Sequence, residues 1–176
     1  TIAALSGWIT GVAVTLGKIG EDLLLLVQSD TGEIILPQAG GSSTMPQKSN
    51  PVLPSLLVAL ARHIATLNTG LQASGMQRQQ RDGAAWFVEW LSLPQICLGL
   101  GRALGAAQEL ADGITPDRGK MLAHIDDGTG FIYAEALSFA LATQMSRPDA
   151  QAVTKALCAK CRESGRSLSD LAGEAY

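Results

Sequence analysis

Twelve consecutive residues, Gly40 to Pro51 (GGSSTMPQKSNP), hold the densest set of reactive groups in this chain. Ser42 and Ser43 offer hydroxyls, Lys48 a cation and Asn50 an amide. Gly40 and Gly41 let backbone N–H groups turn inward. A serine hydroxyl does acid–base work only when its alkoxide is stabilised by N–H groups and a nearby cation. Lys48 and Asn50 could equally hold a substrate carboxylate. A loop that closes on substrate excludes water and strengthens such contacts.

Other chemistries find less support. The G-x-x-x-x-G-K-[ST] spacing of a phosphate loop is absent. His63 and His124 sit in no partner motif, so no Ser-His-Asp triad can be assembled and both read as structural. Cys158 and Cys161 form a C-x-x-C, but neither the further ligands of a zinc site nor the strand of a redox motif accompanies them. They read, with Cys97, as reduced thiols of a cytoplasmic protein. Residues 74–82 are polar and read as a solvated loop. Beside Trp86, Glu89 and Trp90 their hydrogen-bonding groups could also wall a polar site.

The elements that position this loop are helical. Apolar residues recur at three and four spacing over Ile2 to Val27, and Gly7, Gly11 and Gly17 suit tight packing in a bundle. The run Leu23 to Leu26 fits a buried seam. A turn at 29–32 and a short extended piece at 33–37 lead into the loop, 38–51. Helix resumes at Pro51 and runs to about Leu71, then from Ala84 to Ala111 with a kink near Pro94 and Gly99. Thr115 is expected to cap a short helix to His124, with Pro116 at its first position. Helices are expected at 131–144, 148–164 and 168–175. The organisation is a bundle segment over 1–112 and a small helical C-terminal domain over 113–176.

Charged residues make up 16% of the chain, against roughly 25% in a typical domain. Apolar residues make up 47%, and only 5% of the chain is aromatic. Such helices are apolar around more of their circumference than one small domain covers, so partner chains or another part of the same chain should bury the excess. The net charge of −3 and the absence of a basic patch argue against nucleic acid. No run of about 18 uninterrupted apolar residues occurs, which predicts no membrane span. Thr1 opens in helical pattern without a basic leader, which predicts no signal peptide and a chain that is part of a longer one.

Gly41 to Pro51 resembles the signature G-S-S-x-M-P-x-K-x-N-P of the fumarase/aspartase superfamily, unbroken over eleven residues. Within it, this loop is most similar to the carboxymuconate cycloisomerase branch, as are Arg81 to Trp86 with Glu89-Trp90, and Gly130 to Ala136. The resemblance covers most of the chain and corresponds to the C-terminal half of such enzymes. Their upstream signature regions, including a histidine, have no counterpart here.

The resemblance implies an all-α fold, a long-helix bundle with a small helical C-terminal lobe. It implies a homotetramer whose active sites are shared between subunits. Ser42 or Ser43 becomes the acid/base. Lys48 and Asn50, with Thr44 and Met45, bind a dicarboxylate or tricarboxylate, and Arg81 is a further carboxylate contact. No cofactor or metal is implied. The implied reaction is lactonisation of 3-carboxy-cis,cis-muconate in aromatic degradation. The alternatives are an argininosuccinate- or adenylosuccinate-type lyase releasing fumarate, or a non-catalytic structural relative such as the related lens crystallins.

Overall fold

The computed structural model describes residues 1–37, 40–41, 49–125 and 127–175. Three long helices dominate the first part: α1 (Ile2–Leu26), α2 (Val52–Ala73) and α3 (Gly83–Gly113). Two-residue strands lie among them, β1 (Ile34–Ile35), β2 (Gly40–Gly41), β3 (Ser49–Asn50) and β4 (Thr115–Pro116). The rest is α4 (Arg118–Ile125), a 3-10 turn (Phe131–Tyr133), α5 (Ala134–Leu141), α6 (Arg147–Ser164) and α7 (Leu168–Ala175). The chain divides into two compact units, Thr1–Asp117 and Arg118–Tyr176.

In the first unit the three helices run alternately up and down, because their apolar stripes meet in two layers. Ile9, Ala13, Ile64, Leu71, Ile96 and Leu100 form one layer. Leu23, Leu53, Leu57, Ala103, Ala106 and Leu110 form the other, at the opposite end. Small residues let α1 lie close on α2: a Cβ on Gly17 would sit 2.6 Å from Ala61 Cβ, and one on Gly20 2.7 Å from the Pro54 carbonyl oxygen. A polar pin fixes the register. The buried Ser6 hydroxyl donates to Asn68 Oδ1 at 2.7 Å, and Gln72 Nε2 donates to the Ala3 carbonyl at 2.8 Å.

The structure departs from the sequence expectations in three places. Thr115 and Pro116 do not start a helix. They form β4, antiparallel to β1 with Ile34 opposite Pro116, and the Asp117 N–H donates to the Glu33 carbonyl at 2.8 Å. Pairing with a distant segment outweighs the local capping signal, and α4 begins only at Arg118. The helix expected over 131–144 is shorter: Gly130 is left-handed (φ 70°), a 3-10 turn follows, and α5 ends at Leu141. Of the Leu23–Leu26 run only Leu23 is buried, while Leu25 is 58% exposed. By length and composition alone α1 and α2 could cross a membrane, a test that core helices also meet, and here they pack on each other.

In the second unit, Leu157, Cys161 and Leu168 form a small core with Phe131, Leu137 and Val153 against it. Ser146 caps α6 by accepting from the Asp149 N–H, and Gly165 ends it in the left-handed region. The three cysteines are free thiols, with Cys161 buried in this core and Cys97 exposed.

Candidate active site

The proposed loop is held at its two ends. β2 and β3 pair antiparallel, with Gly40 opposite Asn50 and Gly41 opposite Ser49. The chain therefore leaves at Gly41 and returns at Ser49 side by side. Ser42, Ser43, Thr44, Met45 and Lys48 lie outside the described residues. Gly113 closes tightly on the approach to the loop: a Cβ there would fall 2.2 Å from Pro37 Cβ.

Asn50 is described. It is half-buried, the last residue of β3, one residue before the Pro51 cap of α2. Among the described residues no side chain caps this helix, and no acidic residue stands in its first turn. Its N-terminal end therefore keeps the positive character of uncapped N–H groups, which favours a carboxylate near Asn50. The Ser55 hydroxyl donates to the Pro51 carbonyl at 2.8 Å and stiffens that turn.

Arg81 lies elsewhere. It follows the far end of α2, in the turn that joins α2 to α3. The 22 residues of α2 span about 33 Å at 1.5 Å per residue. The structure thus does not bring Arg81 to Asn50 within one chain. Arg81 is exposed and lines an open cleft of about 400 Å³ with Gln79 and Gln80.

The turn has an anchor that the sequence reading passed over. Asp82 is buried and caps α3 by accepting from the Ala84 N–H at 3.0 Å. Its other oxygen accepts from Arg78 Nε at 3.1 Å and from the Arg78 backbone N–H at 3.3 Å. The Arg78 side-chain hydrogen bond, then its backbone N–H, hold the Asp82 carboxyl down at about 2 against the opposing effect of burial. Between these residues Gln79 takes φ 57°, unusual for a side chain other than glycine. The Ser74 hydroxyl donates to the Leu71 carbonyl at 2.8 Å and lies 3.4 Å from Glu89 Oε1, tying the turn to α3. An Asp directly before a helical run is a capping signal, so this anchor was legible.

Next to the turn stands an aromatic group on α3. Trp86 and Trp90 stack with centroids 6.2 Å apart, and Phe87 meets Trp90 edge-on at 5.7 Å. Trp90 is 64% exposed, so this apolar surface is uncovered in the single chain. His63 is exposed on α2, and His124 lies in the last turn of α4. Among the described residues no three His, Cys, Asp or Glu side chains converge as a metal site would require. Among the described residues the chain therefore presents two separate polar ends, one at Asn50 and one at the turn bearing Arg81.

Residues 1–66 match the protein family described as Lyase. The chain is 37% identical over 166 residues to the 3-carboxy-cis,cis-muconate cycloisomerase of Pseudomonas putida, covering 93% of this chain and 39% of that protein. It is 32% identical over 164 residues to a nitrosuccinate lyase of Streptomyces davaonensis, covering 91% of this chain and 34% of that one. The crystal structure of the 3-carboxy-cis,cis-muconate lactonizing enzyme from Pseudomonas putida superposes with a TM-score of 0.87 at 32% identity, over 97% of this chain and 38% of that one. The chain thus spans about two fifths of the length of the cycloisomerase relatives it matches.

Proposed function

The chain belongs to the fumarase/aspartase superfamily of lyases, and from that membership we propose that it serves a cycloisomerase that lactonises 3-carboxy-cis,cis-muconate. The observation that carries this reading is the eleven-residue signature from Gly41 to Pro51, within a chain matched over 93% of its length by a cycloisomerase.

In the proposed reaction one carboxylate of the substrate adds across the conjugated double bond and closes the lactone. The carboxylate conjugated with that bond takes up charge as an enediolate. Lys48, Asn50 and loop N–H groups stabilise it, helped by the N-terminal end of α2. Ser42 or Ser43 then delivers a proton to the α-carbon and is reprotonated from solvent, so each turnover takes up one proton. Thr44 and Met45 line the substrate, Arg81 binds a further carboxylate, and no cofactor enters.

The roughly 33 Å of helix between Asn50 and Arg81 favours sites completed by other subunits. The exposed apolar surface supports the same reading, with Trp8 at 65%, Trp90 at 64% and Leu98 at 75% exposure. A homotetramer in the cytoplasm is the assembly we propose.

A second reading is β-elimination from a succinyl adduct, favoured by the similarity to nitrosuccinate lyase. It would use the same enediolate stabilisation after loss of a β-proton. An absorbance assay of the whole enzyme with 3-carboxy-cis,cis-muconate separates the two. Loss of the diene absorbance, slowed about a hundredfold or more by Ser42→Ala with Ser43→Ala, supports lactonisation. No change in absorbance, with fumarate formed from a succinyl adduct, would leave elimination.

A further inference from the structure

The C-terminal unit, taken by itself, holds a cavity of about 330 Å³ between α5 and α6, lined by Glu135, Ser138, Phe139, Arg147, Gln151 and Lys155 among others. The Ser146 cap makes Arg147 the first residue of α6. Gln151 and Lys155 follow at four-residue steps, so the three side chains form one stripe along the helix. Lys155 stands about 12 Å further along the axis than Arg147. Glu135 and Ser138 come from α5, on the other wall.

None of Glu135, Gln151 and Lys155 has a hydrogen-bond or ion-pair partner among the described residues. Arg147 lies over the Phe139 ring in a cation–π contact, with its guanidinium carbon 5.2 Å from the centroid. A cation over a ring face keeps its N–H donors available to a carboxylate. The α6 wall thus carries two cations, set about two helical turns apart, and the α5 wall carries one carboxylate, Glu135.

We propose that this cavity binds a small amino-dicarboxylate of about the length of glutamate. Its two carboxylates would meet Arg147 and Lys155, its ammonium Glu135, and Gln151 would bridge between them. Two positive charges and one negative complement a ligand with the opposite set. With their backbones about 12 Å apart along α6, the two cations suit a chain with a carboxylate at each end better than a single compact anion. The volume is at the lower end of small-molecule sites, which suits such a ligand. This site stands independently of the reaction proposed above, since it uses none of its residues.

The test is a nitrogen-15 NMR titration of the 176-residue chain with L-glutamate, and with glutarate as the analogue lacking the ammonium. Saturable shifts centred on Glu135, Arg147, Gln151 and Lys155 are expected, with glutamate binding more tightly. Arg147→Gln with Lys155→Gln should weaken glutamate about tenfold or more, as two lost charge-assisted contacts require. Glu135→Gln should remove the preference for glutamate over glutarate. Alkylation of Cys158, which also lines the cavity, should slow with glutamate while that of the exposed Cys97 does not. All three substituted side chains are exposed and outside the core clusters, so the variants should keep the fold. Shifts that never saturate, or equal affinity in the Arg147/Lys155 double variant, would overturn the proposal.

Discussion

Asn50 and Arg81 stand at opposite ends of α2, one two residues before its first turn and the other eight beyond its last, with about 33 Å of helix between them. If both bind substrate, they do so in different sites of one chain, or in one site built from two chains. Asn50→Ala and Arg81→Ala should each lower kcat/KM of the assembled enzyme by about tenfold or more, the size of one lost polar contact to a charged group. Mixed oligomers of the two variants should recover activity well above either alone, because some sites then carry neither lesion. Equal activity in the mixture and the single variants would place both residues in one chain's site, or one of them in none.

Two glycines of α1 should respond to alanine with opposite signs. At Gly20 a Cβ would meet the Pro54 carbonyl oxygen at 2.7 Å and Leu57 Cβ at 3.1 Å. Backbone cannot step aside, so overpacking of about 1–3 kcal/mol should outweigh the gain in helix propensity, about 1 kcal/mol. At Gly11 nothing lies within 4 Å, and alanine should stabilise by about 0.5–1 kcal/mol. Urea denaturation of both variants decides it; a stabilised Gly20→Ala would mean that α1 and α2 separate more readily than their packing implies.

The long helices were legible because their apolar periodicity is local: Ile9, Ala13, Ile64 and Leu71 are spaced as the buried face requires. The short elements were not. Nothing within residues 113–118 announces that Ile34 and Ile35 will pair with Thr115 and Pro116, so the capping signal at Thr115 looked sufficient. Likewise the Leu168 N–H donates to the Thr129 carbonyl at 2.8 Å, and this contact across almost forty residues accompanies the break at Gly130. At the candidate site the residue types of the loop were readable as chemistry. The separation of Arg81 from Asn50 follows only once α2 is seen as a single unbroken rod.

Ile64 is fully buried where all three helices meet, between Ile9 of α1 and Ile96 of α3. Ile64→Ala should cost about 2–5 kcal/mol, and Ile64→Val about 0.5–1.5 kcal/mol. A Cβ on Gly99 would already lie 3.2 Å from Ile64 Cγ1, so the site is packed tightly and has little room to collapse around a void. Chemical denaturation gives both values. A loss well under 1 kcal/mol for alanine would show that α3 shifts to fill the space.

Asp82 should make the stability of the first unit depend on acid pH. Its carboxyl is lowered from an ordinary 3.8 to about 2 in the folded chain, chiefly by the hydrogen bond from the Arg78 side chain. A group with a depressed folded value contributes stability that is fully present above its unfolded value and is lost as pH falls through the folded one. The contribution should therefore hold above about pH 4 and disappear between about pH 4 and 2. Asp82→Asn keeps the size of the side chain and a carbonyl oxygen for the cap, but removes the charge that pairs with Arg78. Its denaturation midpoint should lie below that of the parent at pH 6, and the two should converge as pH approaches 2. Because Asp82 both caps α3 and clamps the turn bearing Gln79 to Arg81, the same variant should also raise KM if Arg81 binds substrate. Parallel stability curves across this range would mean that Arg78 and Asp82 are not paired in solution, and the anchor of the turn would have to be sought in Ser74 and Glu89 instead.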